Sequence, residues 1–250
     1  MANPYFQCKQ FIVHQQQTSM KVCTDACLFG AWVAQKEEVI HSKHIVDIGT
    51  GTGLLSLMLA QVTEKSATKI TSIEIESQAA TEANSNFTLS PWQSRLELVN
   101  DSIQNYAAKN SSSNIAEQKL SDVIISNPPF FEDDLKSPDL NKNKAAHCTE
   151  LPWATLVENV AGLLTVEGSF FVLVPTLRAY TMQKLAETHQ LHLVEEVLVY
   201  NDTKHLPFRA MLQFKKISTN VLRNKLVIKD AENQYTTAFT QLLSPYYLYL

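Results

Sequence analysis

Two short motifs carry residue types that could together transfer a chemical group. The first is a turn with glycines at Gly49, Gly51 and Gly53, and the second is an N-P-P-F tetrapeptide at residues 127–130 that ends an apolar run, D-V-I-I-S at 122–126. A glycine turn after one strand can hold a nucleoside-bearing cofactor. An N-P-P-aromatic turn after a later strand can hold a planar amino group against that cofactor. In this order, the two motifs indicate methyl transfer to a nitrogen.

The N-P-P-F turn offers acceptors for an amine whose lone pair is delocalised into an aromatic ring. The side-chain oxygen of Asn127 and the backbone carbonyl of Pro128 can accept its two N–H bonds and draw the nitrogen toward tetrahedral geometry. Pro128 restricts Asn127 to extended geometry, and Phe130 can stack on the substrate ring. Asn is neutral, but no general base is required, because the proton can leave after transfer, when the nitrogen is cationic and acidic. The alternative is a strand that ends in a proline turn with a core phenylalanine, and the position downstream of the glycine turn favours catalysis.

The spacing within the glycine turn, D-I-G-T-G-T-G at residues 47–53, separates several cofactor classes. Dinucleotide dehydrogenases favour G-x-G-x-x-G, in which the last glycine follows the second by three positions. Here Gly53 follows Gly51 by two and Leu54 comes next, and the turn has no P-loop lysine. The spacing therefore disfavours both a nicotinamide dinucleotide and a nucleoside triphosphate.

Acidic residues lie at the end of the second predicted strand and just after the third. Glu74, about twenty residues beyond Gly53, lies where a carboxylate can accept ribose hydroxyls, with Glu76 as a nearby competitor. Asp101 follows the third strand and could accept the amino group of an adenine. Glu74 and Asp101 could each instead be strand-end or helix-cap acids. A ribose, an adenine and no phosphate suit S-adenosylmethionine as the predicted cofactor.

Strands and helices alternate along most of the chain. Apolar runs and β-branched residues predict strands at 44–48, 69–75, 95–99, 120–126, 169–174, 191–200 and 210–215. Helical spacing predicts helices at 26–34, 54–62, 77–86, 153–164 and 176–188. Ser77 is the expected N-cap of the third of these helices. Polar composition predicts a surface loop at 110–114 and a mobile loop at 131–150, beside the N-P-P-F turn.

This alternation predicts an α/β fold with a doubly wound, mostly parallel, seven-stranded sheet. The last two predicted strands are joined only by residues 201–209, so a hairpin is the simplest connection and one late strand should run antiparallel. We expect residues 1–250 to form a single domain, with 1–43 as an N-terminal segment that flanks the cofactor and substrate cleft.

Composition is that of an ordinary globular protein. The chain has 250 residues, of which 45% are hydrophobic and 18% charged. The cysteines Cys8, Cys23, Cys27 and Cys148 form no C-x-x-C pair, and no partner completes a zinc set around His189 and His192, so we expect no metal site. No apolar run is long enough for a bilayer, and residues 1–17 lack the apolar core of a secretory signal. We expect a cytoplasmic protein with no membrane partner.

Global charge gives no support to nucleic-acid binding, because the formal net charge is -4. Residues 203–229 nevertheless carry seven lysines and arginines and no acid: Lys204, Arg209, Lys215, Lys216, Arg223, Lys225 and Lys229. Such a strip could follow a phosphate backbone, or it could be a solvated polar surface.

Several motifs together resemble one family of enzymes. They are F-x-x-K-Q-F-x-V at 6–13, M-K-V-x-T-D at 20–25, D-I-G-T-G-T-G at 47–53, I-I-S-N-P-P-F-F at 124–131, R-A-M-L-Q-F at 209–214 and the aromatic tail at 235–249. The chain resembles the class I, Rossmann-like methyltransferases and, within them, the bacterial tRNA1(Val) adenine-N(6)-methyltransferases. The N-terminal block is the most specific part, because N-P-P-[YF] also occurs in methylases of DNA, ribosomal RNA and release-factor glutamine.

The resemblance implies methylation of the exocyclic amino group of the adenosine next to the anticodon of tRNA1(Val). It implies that Asp47 and the glycines hold the methionine moiety, Glu74 the ribose and Asp101 the adenine. Lys21, Thr24 and Asp25 would line the cofactor mouth.

The resemblance also implies that Asn127, Pro128 and Phe130 hold the target base, which must leave its stack in the anticodon loop. Phe130 stands where tyrosine is commoner, and Ala146 and His147 stand where an arginine is expected.

The tRNA anticodon loop is the expected partner, and no obligate protein partner is evident. Three alternatives remain at this level. They are methylation of a release-factor glutamine or a ribosomal RNA base, a cofactor-binding module without catalysis, and a nicotinamide dehydrogenase, which the glycine spacing disfavours.

Overall fold

In the computed structural model, a large mixed sheet carries helices on both faces. The structure describes residues 3–18, 20–64, 66–110, 119–129 and 152–250. The strands are β1 Tyr5–Gln7, β2 Ile12–His14, β3 His44–Ile48, β4 Lys69–Ile73, β5 Leu96–Val99, β6 Ser121–Ser126, β7 Leu164–Pro175, β8 His192–Tyr200, β9 Arg209–Lys215 and β10 Leu222–Val227. The helices are α1 Thr24–Ala34, α2 Glu37–Ile40, α3 Leu54–Val62, α4 Ser77–Thr88, α5 Ile103–Asn110, α6 Trp153–Leu163, α7 Ala179–Thr188 and α8 Thr237–Leu243.

The order of strands in the large sheet is β10-β8-β9-β7-β6-β3-β4-β5, and β1 and β2 form a separate hairpin. All neighbours in the large sheet are parallel except β9, which is antiparallel to both β7 and β8. The doubly wound, mostly parallel sheet, its late antiparallel strand and the hairpin that forms it are thus confirmed.

The predicted strand count was wrong, because within the described residues the large sheet already has eight strands rather than seven. The strand missed is β10, whose first four residues are all exposed and include Arg223, Asn224 and Lys225. An edge strand with no buried alternation gives no period-two signal. It forms because its backbone pairs with β8 from Leu222 to Val227.

The central strands are apolar throughout because both faces of the sheet are covered. On one face, Ile45 and Phe171 pack with α1, α3 and α8; on the other, Val46 and Phe170 pack with α5, α6 and α7. Every residue from Phe170 to Val174 is buried. Burial of each such side chain contributes about 2 kcal/mol, so the strands that carry the two motifs are anchored firmly.

Two local predictions need correction. Ser77 is the first residue of α4 and not its N-cap; Glu76 takes the N-cap position, and the Ser77 hydroxyl donates to Asn100 Oδ1 at 3.1 Å. The helix predicted at 176–188 begins as a short 3-10 turn at Thr176–Arg178 before α7. Proline at 175 ends β7 and starts this turn, because its ring fixes φ.

Some predictions lie outside the described residues. They are the mobile loop at 131–150, most of the surface loop at 110–114, and Phe130, Ala146, His147 and Cys148. In the part of the chain that the structure describes, no helix is long and apolar enough to cross a membrane. Within that same part, no cluster of three or more His, Cys, Asp or Glu side chains could hold a metal ion.

Candidate active site

The strand register brings the two motifs together at the carboxyl edge of the sheet. Ile48, the last residue of β3, pairs with Ile73 in β4 and with Ser126 in β6, and Ile73 in turn pairs with Val99 in β5. The segments that follow these strands therefore begin side by side. The glycine turn, the residue Glu74 and the N-P-P-F turn leave the sheet at neighbouring positions, as a cleft at a parallel sheet edge requires.

The glycine turn has a backbone that other residues would strain. Gly49, Gly51 and Gly53 have φ angles of 71°, 56° and 81°. A Cβ at Gly53 would lie 2.4 Å from the Phe87 ring, whereas one at Gly49 or Gly51 meets nothing within 4 Å. The last glycine is thus required for packing, and the first two border open space that a ligand can enter.

Asp47 is fully buried near the end of β3, and one of its two carboxylate oxygens has no hydrogen-bond partner in the described residues. Its Oδ2 accepts hydrogen bonds from the hydroxyls of Thr50 at 2.6 Å and Ser56 at 2.7 Å, while Oδ1 has no partner in the described residues. Burial raises the pKa of Asp47 to about 6; the two hydroxyl bonds lower it, and the charge of Glu74 raises it. A cationic ligand would complete this carboxylate, and both an ammonium and a sulfonium are cations.

Glu74, rather than its competitor Glu76, contacts the glycine turn. Its Oε2 accepts the N–H of Gly51 at 2.9 Å, and its Oε1 accepts the N–H of Glu76 at 2.9 Å. Glu74 is buried and the Glu76 side chain is exposed. A carboxylate has about four lone-pair sites, so two further donors, such as ribose hydroxyls, can still be accepted.

The carboxylate of Asp101 is engaged by its own helix. Oδ1 accepts the N–H of Ser102 at 2.8 Å and the amide of Asn105 at 2.7 Å, and Oδ2 lies 2.7 Å from Lys109 Nζ. Hydrogen bonding from Lys109 lowers the pKa of Asp101 to about 2. The cap of α5 is Ser102, whose hydroxyl accepts the N–H of Asn105 at 3.1 Å. Asp101 is engaged by residues of that helix, and its contact with an adenine stays a prediction.

Asn127 presents a buried amide oxygen that has no partner in the described residues. It follows Ser126, whose hydroxyl donates to the carbonyl of Ile48 at 2.9 Å and so ties the end of β6 to the start of the glycine turn. Pro128 is buried, and Phe130 lies outside the described residues. A buried acceptor without a donor costs about 1–3 kcal/mol. A ligand N–H would supply the missing donor.

The other predicted site residues lie in two places. Lys21 Nζ donates to the carbonyls of Thr18, at 2.9 Å, and Gln15. Thr24 and Asp25 instead line a cavity of about 500 Å³ at the ends of β8, β9 and β10, where Asp25 Oδ2 lies 2.7 Å from Arg209 Nε. Their role at the cofactor mouth stays a prediction.

Two residues of α4 hold the N-terminal segment over the glycine turn, and the sequence analysis missed both. The Asn86 amide bonds the N–H and the carbonyl of His14 and the carbonyl of Thr52, each at 2.9 Å. The Glu82 carboxylate accepts the N–H groups of Thr18 at 2.9 Å, of Gln17 at 3.1 Å and of Gln16. Buried polar residues four apart on a helix were the available signal.

Comparison with known proteins agrees with this fold. The model of the Methyltransferase small domain family matches residues 31–174. A predicted O-methyltransferase from Agrobacterium tumefaciens shares the fold with a TM-score of 0.66 at 14% identity, over 88% of this chain and 96% of that one. A SAM-dependent methyltransferase from the same organism gives a TM-score of 0.58 at 12% identity, over 87% of this chain and 72% of that one.

Full-length relatives are more specific. Proteins named tRNA1(Val) (adenine(37)-N6)-methyltransferase are 36% identical in Bacteroides fragilis, over 99% of both chains, and 36% identical in Cytophaga hutchinsonii, over 100% of both. The relative of that name in Escherichia coli O157:H7 is 34% identical over 98% of this chain and 95% of its own.

The fold and the strand-edge cleft define a class I methyltransferase with a Methyltransferase small domain. Within that class, the chain belongs to the tRNA1(Val) (adenine(37)-N6)-methyltransferase family. The resemblance read from the N-terminal block and the N-P-P-F motif is confirmed, and a nicotinamide dehydrogenase is excluded.

Proposed function

We propose that this protein transfers a methyl group from S-adenosylmethionine to the N6 amino group of adenine 37 in tRNA1(Val). The names of its full-length relatives supply the substrate and the position. The observation in this chain that carries the chemistry is the buried Asn127 oxygen, which has no partner in the described residues and follows β6 beside the glycine turn. An exocyclic amine has the N–H donors that this oxygen lacks.

The cofactor residues fit a cationic nucleoside. Asp47 offers its open oxygen to positive charge, Glu74 has lone pairs for a ribose, and Gly49 and Gly51 leave space for close approach. S-adenosylmethionine, when bound, supplies an electrophilic methyl on sulfur. Asp101 supports this proposal less than the other residues do, because the side chains of Lys109 and Asn105 already bond its carboxylate.

The N-P-P-F turn activates and orients the amine. Asn127 Oδ1 accepts one N–H and the Pro128 carbonyl accepts the other, which localises the nitrogen lone pair toward the methyl group. The N–CH3 bond forms as the S–CH3 bond breaks, and the nitrogen becomes cationic. Its proton then passes to water, so no side chain of high basicity is required. Phe130 would stack on the adenine, which must leave the anticodon loop stack at a cost of a few kcal/mol.

The test combines a strain that lacks this protein with a variant that lacks the side-chain amide of Asn127. Mass spectrometry of nucleosides from tRNA1(Val) should show N6-methyladenosine lost in a strain that lacks this protein and restored by the wild type. Purified Asn127→Ala should lose about 100-fold or more in kcat with an unchanged dissociation constant for S-adenosylmethionine. Asn159→Ala in α6, whose amide donates to Thr155 in its own helix, is the matched control.

The results separate the competing assignments. Methyl loss from a release-factor glutamine or ribosomal RNA, with tRNA1(Val) intact, would overturn the substrate. Full activity of Asn127→Ala would overturn the role of that amide. Cofactor binding by the wild type without transfer to any of these substrates would leave only a binding module.

A further inference from the structure

A cavity opens at the same edge of the sheet, away from the region between the glycine turn and Asn127. It has a volume of about 500 Å³, within the range of small-ligand sites. The residues that matter for its chemistry are Thr24, Asp25, Asp202, Phe208, Lys229 and Tyr235. Thr24 and Asp25 begin α1, and the other four follow or precede β8, β9 and β10, whereas the cofactor residues lie at the ends of β3 and β4. The cavity is thus on the opposite side of β6 from the expected cofactor.

A rigid turn presents an aromatic ring to this cavity. Tyr235 is 52% exposed, and its ring stacks on Phe239 with centroids 4.5 Å apart and an interplanar angle of 16°. Residues 230–234 are held by Asp230 Oδ1, which accepts the N–H groups of Glu232 at 3.0 Å and Gln234 at 2.9 Å. A half-exposed ring that is fixed from behind is a ready stacking surface for a base.

The charges around the cavity favour an anionic ligand. Lys229 Nζ lies 5.8 Å from the centre of the Tyr235 ring and bonds Asn233 Oδ1 at 3.0 Å. Asp25 is paired with Arg209 at 2.7 Å. Because this acid is paired with a cation, it repels an anionic ligand only weakly.

The second acid, Asp202, is also engaged. Its Oδ1 accepts the N–H groups of Lys204 at 2.7 Å and His205 at 3.1 Å, and its Oδ2 lies 2.7 Å from His205 Nδ1. Both acids of the cavity are thus engaged by other groups, and Lys229 bonds only the neutral amide of Asn233 among the contacts given above. The ammonium of Lys229 can therefore bind a phosphate.

The position of the cavity relates it to the target-base turn. The cavity extends from Phe208, which precedes β9, to Lys229 and Tyr235, which follow β10. In the sheet, β9 is two positions and β10 four positions from β6, the strand that Asn127 follows, so the cavity spans distances of about 10 to 19 Å from the end of β6. When one base of a loop is turned out toward Asn127, a nearby nucleotide of the same loop can reach this distance along the edge.

We propose that this cavity is a subsite for a nucleotide that flanks the target adenosine, with its base against Tyr235 and its phosphate at Lys229. The inference rests on the proposed function, because it needs an RNA substrate whose target base enters at Asn127. It extends that function because it assigns RNA recognition to the turn after β10. The sequence pattern did not predict that strand.

The experiment measures kinetics with an unmodified tRNA1(Val) transcript. Tyr235→Ala should raise KM for the transcript about tenfold, the size of one lost base stack, with kcat and the dissociation constant for S-adenosylmethionine unchanged. Tyr235→Phe keeps the ring and should retain wild-type KM. Lys229→Ala should raise KM at low salt and lose that effect at high salt.

Two substitutions at the other edge of the sheet serve as controls. Leu222, at the far end of β10, is 55% exposed, close to the exposure of Tyr235, and Lys69 is the exposed first residue of β4. Leu222→Ala and Lys69→Ala should leave KM unchanged. Equal KM increases in these controls would overturn the subsite.

Abasic transcripts make the assignment specific. Removal of the base on one side of the target adenosine should raise the wild-type KM as much as Tyr235→Ala does, and should add nothing further in the Tyr235→Ala enzyme. Independent, additive effects at both flanking positions would overturn the subsite while leaving the methyl transfer intact. A wild-type enzyme that methylates no adenosine of the transcript would overturn the proposed function itself.

Discussion

Asp47 is the residue at which stability and cofactor binding conflict. Its carboxylate is fully buried, and burial raises its pKa to about 6 against an ordinary value of 3.8. A folded-state pKa above the unfolded one means that the native state holds the proton more tightly. The stabilising contribution is therefore present at low pH and is lost as the pH rises from about 4 to about 6.

We expect Asp47→Asn to stabilise the protein without cofactor at pH 7.5 and to weaken cofactor binding. The stabilisation should approach 3 kcal/mol, since two pKa units correspond to about that free energy, and it should shrink below pH 5. Urea unfolding at both pH values measures it. Calorimetric titration should show weaker binding of S-adenosylmethionine to the variant, and to the wild type as the pH falls through 6. A variant that is less stable at pH 7.5 yet binds normally would contradict this account.

The glycine turn should separate packing from ligand binding. Both Gly51→Ala and Gly53→Ala place a Cβ at positive φ, which costs about 1–2 kcal/mol. Gly53→Ala also brings a methyl to 2.4 Å from the Phe87 ring, whereas Gly51→Ala points into open space. Gly53→Ala should therefore unfold at clearly lower urea concentration than Gly51→Ala, and Gly51→Ala should lose cofactor affinity. Equal unfolding midpoints for the two variants would argue against the Phe87 contact.

Residue types at strand ends could be predicted from sequence, but their partners could not. The strand-then-acid pattern found both Glu74 and Asp101, and only the structure shows that Glu74 bonds Gly51 while Asp101 bonds Lys109. The lysine lies eight positions from Asp101, on α5, the helix that follows that residue. Such a contact depends on helix placement, which sequence spacing alone does not fix.

At the scale of elements, α4 is more than a crossover helix. Glu82 and Asn86 lie one turn apart on it and together bind the backbone of residues 14–18 and of Thr52. The donors on Glu82 are backbone N–H groups. Burial raises the pKa of Glu82, but these N–H bonds outweigh it and the net pKa is lowered. The contact therefore stabilises the fold above pH 4.5 and weakens as the pH falls through the lower folded-state value.

We expect Glu82→Gln to loosen the N-terminal segment at neutral pH. Loss of the charge from three hydrogen bonds should lower the free energy of unfolding by about 2 kcal/mol, and the difference from wild type should narrow below pH 4. Hydrogen exchange of the Gln16, Gln17 and Thr18 amides should accelerate. Glu158→Gln, at an exposed position of α6, is the control. Unchanged exchange at these three amides would show that the carboxylate does not hold the segment.

Long elements with a strong apolar pattern were predictable, whereas the exposed edge strand β10 and the short helices α5 and α8 were not, although both helices bury one face. β7 is apolar on both faces and was found from its run of Phe and Val, while β10 pairs through its backbone with polar side chains outward. The antiparallel direction of β9 followed from the short connection to β8. The fold class could thus be predicted from the hydrophobic pattern and the loop length. The eighth strand could not, because it forms through backbone pairing that its side chains do not reveal.

At the scale of the whole molecule, the basic strip at 203–229 is not continuous. β9 carries it across the sheet, from Arg209 at the active edge to Lys215 at the other, where Lys215 lies 3.2 Å from Glu38. Arg223 pairs with Glu196 at 3.3 Å. Lys204, Arg209 and Lys229 lie at the cavity-bearing edge, and Arg209 is paired there with Asp25. Positive charge near the candidate active site therefore comes from a few residues at this edge and not from the chain as a whole, whose net charge is -4.

This distribution predicts which lysines sense an RNA backbone. Binding of an anticodon stem-loop, followed by fluorescence anisotropy across salt concentrations, should give a log–log slope of about 0.7 per neutralised phosphate of a single strand. Lys204 is exposed in the connection between β8 and β9, so Lys204→Ala should reduce the slope by about that amount. Lys69→Ala, at the opposite edge, should leave it unchanged because its charge is far from the bound loop. Equal reductions in both variants would mean that RNA does not select the carboxyl edge, and the placement of the target base at Asn127 would then lack electrostatic support.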